Sequence, residues 1–137
     1  MRHSIPWEAD PYFGKEPVPL LDVLLRMKDS TIEGFSFLID SGADISMAPS
    51  WLCEDLGRDW SSGSYVRLRG ISQKDECDVE GRILSIEMHI PDVQRRLVIT
   101  VCFAEGDCAF VLGRQRFFDA FRITFDQLSL KTEIETR

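Results

Sequence analysis

Seven short apolar segments, separated by clusters of Gly, Pro, Asp and Ser, constrain the fold of this chain more than any other feature. The segments are rich in Val, Ile, Phe and Thr, and they recur at roughly the ten-residue spacing typical of strands joined by turns. They cover residues 18–27, 32–40, 79–90, 96–104, 109–113, 121–126 and 128–134. This pattern predicts a mainly β protein with a mostly antiparallel sheet system.

Two stretches between the predicted strands have helical patterns. Residues 49–57 begin with Pro49, carry apolar side chains at one-turn spacing and end at Gly57, which is the usual order of these two residues in a helix. Residues 114–120 contain no helix breaker and directly follow a glycine. We expect a short helix in each stretch.

The length of 137 residues is sufficient for one domain with its own hydrophobic core. We assign this domain to residues 19–137. Residues 1–18 contain three prolines and three aromatic residues without a clear period. We therefore expect an irregular N-terminal arm, packed on its own subunit or on a neighbouring one.

The net charge of the chain argues against a nucleic-acid partner. Sixteen basic and 23 acidic residues give a net charge of −7, and a nucleic-acid-binding face would need clustered Lys and Arg to neutralise phosphates. No apolar run approaches the roughly 20 residues of a membrane span, and the first residues lack the apolar stretch of a signal peptide. We expect no nucleic-acid or membrane partner and a cytoplasmic location.

Cysteine and histidine usage argues against a metal site. The four cysteines include no C-x-x-C pair, and His3 and His89 are the two histidines available to a zinc ion. Cys102 and Cys108 could be joined by a disulfide, but reduced thiols are more common in a chain without export signals. His89 lies in an alternating segment and is interpreted as a solvent-facing strand residue. We expect no metal and no cofactor.

One buried-looking strand ends in a carboxylate. Residues 35–39 are mostly apolar and run directly into Asp40, Ser41, Gly42, Ala43 and Asp44. A charged carboxylate at the end of a buried strand is unfavourable unless it has a partner or a function, because burial of a charge is costly. Asp, Ser and Gly are also ordinary turn residues, so the tripeptide by itself favours a simple turn.

The wider context supports a more specific interpretation. An apolar pair followed by residues 40–44, and then residues 110–114 (Phe-Val-Leu-Gly-Arg) ahead of a short helix, resembles the retropepsin-like aspartic proteases, in particular soluble bacterial members. The resemblance covers roughly residues 20–133. It implies a retropepsin-like acid protease fold, which is a closed β-barrel-like half-domain with a flap hairpin and one or two short helices.

The flap is assigned by the same resemblance. Gly70, Ile71 and Ser72 are similar to a flap tip that contacts substrate, with residues 66–69 and 79–83 as its two arms. The chain departs from the family at Ser72, where a second glycine is usual, and about three extra residues within 73–78 lengthen the returning arm. The N-terminal arm also has no evident match to the terminal strands by which the viral enzymes dimerise.

The resemblance implies an aspartic endopeptidase that acts on a peptide or protein substrate. Two aspartates would share one proton and activate water, and since the chain contains one Asp-Ser/Thr-Gly sequence, the active form would be a homodimer with Asp40 from each copy. Ser41, Gly42 and Ala43 would support the active-site loop. Asp44 would pair with Arg114 and hold that loop against the closing helix.

Ala43 predicts the working pH range. A Ser or Thr at this position could donate a hydrogen bond to the catalytic carboxylate and favour its ionised form. Ala43 therefore predicts mildly rather than strongly acidic conditions for turnover.

A second class of function stays open from the sequence. The chain could be a catalytically silent module that keeps this fold for dimerisation or for binding an extended peptide by strand addition. The unusual flap and N-terminal arm favour the module, whereas the intact residues 40–42 favour the enzyme.

Overall fold

Strands make up most of the chain, as the apolar segments predict. The structure is a computed structural model that describes residues 1–68 and 79–137. The strands are β1 Arg2–Pro6, β2 Glu8–Ala9, β3 Pro17–Val18, β4 Leu20–Arg26, β5 Ile32–Ile39, β6 Ser46–Pro49, β7 Ser64–Leu68, β8 Val79–Ile90, β9 Arg95–Ala104, β10 Val111–Leu112, β11 Phe121–Asp126 and β12 Lys131–Thr136. The α-helices are α1 Ser50–Asp55 and α2 Phe117–Ala120.

Six of these strands form a closed barrel. Their order is β4-β5-β10-β6-β9-β8, and β8 returns to β4 through the pair Leu24 and His89. Strand β7 pairs antiparallel with residues 79–83 at the beginning of β8. Two pairings within the ring are parallel, β5 with β10 and β6 with β9, and the others described are antiparallel. The prediction of a mainly β, barrel-like domain is confirmed.

Alternating apolar side chains explain how the barrel wall forms. Along β8, Leu84, Ile86, Met88 and Ile90 are buried, while the residues between them point away from the core. A strand places successive side chains on opposite faces, so this alternation fixes which face of β8 covers the interior. Strand β4 contributes its own alternate residues to the same core.

Strand β6 was not expected from the sequence. It has four residues, Ser46 to Pro49, and lies parallel to β9 in the register Ser46 with Val101. So short a segment has too few apolar residues to show a period by itself. Its conformation is set by the neighbouring strands β9 and β10, which are distant in sequence.

The N-terminal arm, expected to be irregular, contains regular strands at Arg2–Pro6, Glu8–Ala9 and Pro17–Val18. Strand β1 pairs antiparallel with β12, which also pairs with β11, so the three form a separate sheet. Trp7 follows β1 and donates from Nε1 to Thr132 Oγ1 at 2.8 Å, and Thr132 is buried. The partner of β1 lies at the other end of the chain, so local sequence alone gave no signal of the pairing.

Both helices are shorter than predicted. Helix α1 ends at Asp55, and Gly57 follows with a φ of 78°, the left-handed conformation that glycine adopts readily. Helix α2 begins at Phe117 because Arg116 has a φ of 70° and interrupts the helical backbone. None of the helices in residues 1–68 and 79–137 is long and apolar enough to cross a membrane.

The cysteines of the described segments are free thiols. Cys53, Cys102 and Cys108 are all buried. Burial raises the pKa of Cys102 and that of Cys108 to about 11, with a further contribution to Cys108 from the neighbouring Cys102. These three thiols therefore behave as small core side chains.

Candidate active site

Asp40 lies at the point where strand β5 leaves the barrel. Its backbone N–H donates to the carbonyl oxygen of Leu112 at 2.9 Å, which extends the parallel pairing of β5 with β10 by one residue. Asp40 is half-buried, whereas Ser41 and Gly42 are exposed. The barrel wall thus positions one carboxylate at its rim, with the following residues accessible.

The loop after Asp40 folds back on the Asp40 carboxylate. The Gly42 N–H donates to Asp40 Oδ1 at 2.8 Å, and the Ala43 N–H donates to the Asp40 carbonyl oxygen at 3.2 Å. A Cβ at position 42 would lie 3.2 Å from Asp40 Oδ1, a contact tight enough to disturb this hydrogen bond. A larger residue at position 42 would therefore require the Asp40 carboxylate to shift by a few tenths of an ångström.

Residues that follow β10 hold the loop from the other side. Backbone N–H groups of Arg114 and Gln115 donate to the carbonyl oxygens of Ala43 and Asp44, each at 2.9 Å. The Arg114 side chain forms an ion pair with the Asp44 carboxylate. The two sequence segments that carried the resemblance therefore lie side by side, and the predicted partners Asp44 and Arg114 are in contact.

The Asp44–Arg114 pair is exposed in the single chain. The Asp44 side chain is 76% exposed and that of Arg114 is 55% exposed. An exposed ion pair contributes about 0–1 kcal/mol to stability. In one isolated chain, the loop is thus held mainly by backbone hydrogen bonds.

Two residues that the sequence analysis did not select complete the support of the loop. Gly113 donates from its N–H to Ser46 Oγ at 3.0 Å, and Ser46 is completely buried. A Cβ on Gly113 would lie 2.6 Å from backbone atoms of Ile45 and 2.8 Å from the carbonyl oxygen of Ala43. Gly113 did form part of the Leu-Gly-Arg sequence behind the resemblance, so a signal for it was present.

The base of the predicted flap is a regular hairpin. Strands β7 and β8 pair antiparallel from Ser64 with Ile83 to Leu68 with Val79. The predicted tip, Gly70, Ile71 and Ser72, lies outside the described residues. Its role as a flap stays a prediction.

Arg82 attaches this hairpin to the body of the domain. Its guanidinium lies 5.4 Å from the ring centroid of Trp60 and 5.2 Å from that of Tyr65. It donates to the Gly63 carbonyl oxygen at 3.3 Å and pairs with Glu80 at 3.1 Å. Trp60 in turn donates from Nε1 to the carbonyl oxygen of Phe103 at 2.8 Å, so the hairpin base is connected to β9.

The arrangement provides one carboxylate per chain, oriented by a backbone N–H and located at an accessible rim. A carboxyl group of this kind can accept a proton from water when it is ionised or donate one to a carbonyl oxygen when it is protonated. Among the residues that hold this loop in the single chain, Asp44 carries the other carboxylate, and that group is ion-paired with Arg114.

The comparisons with known proteins identify the fold. No family model and no curated protein sequence matches the chain. The structure is similar to the crystal structure of a retropepsin-like aspartic protease from Rickettsia conorii, with a TM-score of 0.66. The two are 12% identical, and the similarity covers 97% of this chain and 98% of that one. The chain therefore has a retropepsin-like fold over nearly its whole length.

Proposed function

We propose that this chain is an aspartic endopeptidase that acts as a homodimer, with Asp40 of each copy in one shared active site. The observation that carries the proposal is the position of Asp40: it ends a barrel strand of a retropepsin-like fold in a turn closed by Gly42 and held by Arg114. A simple turn would not require such support from a segment about 70 residues further along the chain.

The number of aspartates determines the proposed assembly. The chain contains one Asp-Ser-Gly sequence, and peptide hydrolysis by this chemistry uses two carboxyl groups about 3 Å apart that share a proton. One carboxylate takes a proton from the attacking water while the protonated partner donates to the scissile carbonyl oxygen. Two copies related by a two-fold axis would supply this pair from identical loops.

The neighbouring residues have distinct proposed roles. Ser41 is exposed beside Asp40 and would form hydrogen bonds with the partner copy's loop. Asp44 and Arg114 would brace the loop against the segment that leads into α2. Gly70, Ile71 and Ser72 would form a flap tip that covers a bound peptide and donates backbone hydrogen bonds to it.

The decisive experiment measures cleavage of a diverse peptide pool between pH 4 and pH 7 by the wild-type protein and by Asp40→Asn. We expect cleavage by the wild type and none above background by the variant, because an amide can neither accept nor donate the shared proton. Asp55→Asn is the matched control, since Asp55 is an exposed carboxylate at the end of α1. It should cleave at the wild-type rate.

Two results would overturn the proposal. Cleavage by purified Asp40→Asn at the rate of the purified wild type would show that Asp40 is not catalytic. Peptide binding without cleavage in the wild type, unchanged in Asp40→Asn, would instead support a catalytically silent binding module.

The homodimer is tested separately by sedimentation. The specific activity should rise with protein concentration in step with the fraction of dimer, because the single chain holds half of the catalytic pair. Full activity in a species that sediments as one chain would rule out the shared site.

The cytoplasmic location stays a prediction that cell fractionation can test.

A further inference from the structure

A cavity on the outer wall of the barrel lies far from Asp40. It has a volume of about 570 Å³ and opens between β4, β8, β9 and the segment that follows α1. Arg26 and Ile32 pair at the far end of the β4–β5 hairpin, and roughly 27 Å of strand separates Ile32 from Asp40 at the usual rise per residue. The cavity is therefore separate from the proposed active site.

The charged residues around the cavity are mainly basic. Arg26, Arg58 and Arg96 line it from three different elements, and Glu87 is the acidic residue among the lining side chains. With His89 neutral, the local charge is +2, whereas the whole chain carries −7. A convergence of basic side chains in an acidic protein favours an anionic ligand.

The arginines retain donors for such a ligand. The guanidinium of Arg26 has no hydrogen bond or ion pair with any residue in the described ranges. Arg58 Nη1 donates to the Ser85 carbonyl oxygen at 2.8 Å, which uses one of its five N–H donors. Arg96 Nη1 lies 3.5 Å from Glu87 Oε1, a long contact between largely exposed side chains.

The remaining wall of the cavity is apolar. Leu24, Leu56 and Ile86 line it together with Ile32, whose side chain is 54% exposed. An apolar lining with a few fixed polar groups is typical of small-molecule sites, and the volume lies within the usual range of about 300–1,000 Å³. The cavity therefore offers contacts for both the head and the body of an amphipathic molecule.

We propose that this cavity binds a small amphipathic anion, with a carboxylate or phosphate head against Arg26, Arg58 and Arg96 and an apolar body against Leu24 and the exposed Ile32. Arginine suits either head because its planar fork donates two parallel hydrogen bonds to such groups. The site is independent of Asp40 and of the proposed peptidase activity.

Binding would also stabilise the barrel. Strands β4 and β8 close the ring at Leu24 and His89, and both of these residues line the cavity. A ligand held by Arg26 on β4 and Arg96 on β9 would span this closure. Because it binds the folded state, it should raise the melting temperature as its concentration increases.

The test titrates the full chain with four probes: octanoate, octyl phosphate, inorganic phosphate and octanol. We expect saturable binding of octanoate or octyl phosphate at one molecule per chain, with amide NMR shifts concentrated at Leu24, Arg26, Ile86 and His89. Inorganic phosphate and octanol should each bind at least tenfold more weakly, because each makes half of the contacts. The preferred octyl compound identifies the acidic head.

Variants supply the second measurement. Arg26→Gln combined with Arg96→Gln should weaken binding about tenfold or more, since charge-assisted hydrogen bonds are lost. Glu87→Gln should strengthen it, because a like charge is removed from the site. Arg122→Gln removes a positive charge at an exposed position on β11, outside the cavity. It is the control for a change in net charge and should bind as the wild type does.

Three outcomes would overturn the proposal: no saturable binding of either octyl compound, NMR shifts that map to another surface, or equal affinity in the wild type and the double Arg variant. The NMR map uses the wild-type protein, so the test does not depend on the folding of any variant. Failure of this site would leave the cleavage test at Asp40 unaffected.

Discussion

Gly113 and Ile45 approach each other so closely that a Cβ on the glycine would lie 2.6 Å from both the carbonyl carbon and the carbonyl oxygen of Ile45. The obstructing atoms belong to the backbone, which cannot rotate away as a side chain can. The loop that carries Asp40 is therefore packed directly on the chain that leaves β10.

Gly113→Ala should accordingly destabilise the domain by about 1–3 kcal/mol, the usual effect of overpacking. The added methyl group must displace residues 43–45, so cleavage should also fall if Asp40 is catalytic. Gly34→Ala is the matched control, because a Cβ there lies 3.5 Å from Leu24 Cδ2 in ordinary contact. Urea unfolding measures both variants, and equal stability of the two would contradict the expected clash.

Ser46→Ala should lower the free energy of unfolding by about 1–3 kcal/mol. It removes the acceptor for the buried Gly113 N–H, and a buried donor left without a partner has a cost of that order. Ser36→Ala, at an exposed strand position, should stay within about 0.5 kcal/mol of the wild type. The two are compared by chemical denaturation, and a neutral Ser46→Ala would show that this hydrogen bond does not stabilise the loop.

The Asp44–Arg114 pair should contribute little in the single chain. A double-mutant cycle with Asp44→Asn and Arg114→Gln, measured where sedimentation shows one chain, should give a coupling energy of about 0.2–1 kcal/mol that decreases with salt. The reason is the high exposure of both side chains. A coupling above about 2 kcal/mol that is insensitive to salt would mean that the pair is shielded from water.

Ala43→Thr should move the acid limb of the pH–rate profile to lower pH by about 0.5–1 unit, if its hydroxyl donates to the catalytic pair with the strength of an ordinary hydrogen bond. This prediction depends on the proposed peptidase activity. Ala9→Thr, on the exposed strand β2, is the control and should leave the profile unchanged. A wild-type rate maximum below about pH 3 would refute the proposed role of Ala43.

Cys102 and Cys108 should resist alkylation in the folded protein. Burial raises their pKa to about 11, so at pH 8 roughly one thiol in a thousand is ionised, and access to reagent is also restricted. Peptide mass spectrometry after iodoacetamide treatment should show labelling at least tenfold slower than that of glutathione. Labelling of either thiol at the glutathione rate would contradict this.

The same thiols affect stability at high pH. The unfolded chain loses these protons near pH 9 and the folded chain near pH 11, so the unfolded state binds fewer protons between these values. Stability should therefore be fully present below about pH 9 and decrease as the pH rises towards 11. Thermal unfolding over this interval measures the loss.

The sequence predicted the strands because their signal is local, whereas the closed barrel was implied by the resemblance. Alternation in residues 79–90 and the apolar run before Asp40 depend on neighbours one or two positions away, and the structure places both as strands. Residues whose roles arise from distant contacts were missed. Strand β1 depends on β12, and the support given by Gly113 becomes visible once Ile45 lies against it.

The residues that hold the Asp40 loop also depend on contacts that are distant in sequence. Asp44 and Arg114 are 70 positions apart, and a surface charge was the simpler interpretation of each until the resemblance linked them. Ser46 gave no signal at all, because a serine whose hydroxyl accepts a buried N–H looks in sequence like any other serine.

The sheet that joins β1, β12 and β11 also affects how the protein is made. During synthesis β1 leaves the ribosome before the barrel strands, whereas its partner β12 emerges more than 120 residues after it. Until then the backbone donors and acceptors of β1 have no strand to pair with, so a nascent chain would hold an open edge that can join other chains. Completion of this sheet is therefore expected to be a late step in folding, after the barrel strands between the two ends have paired.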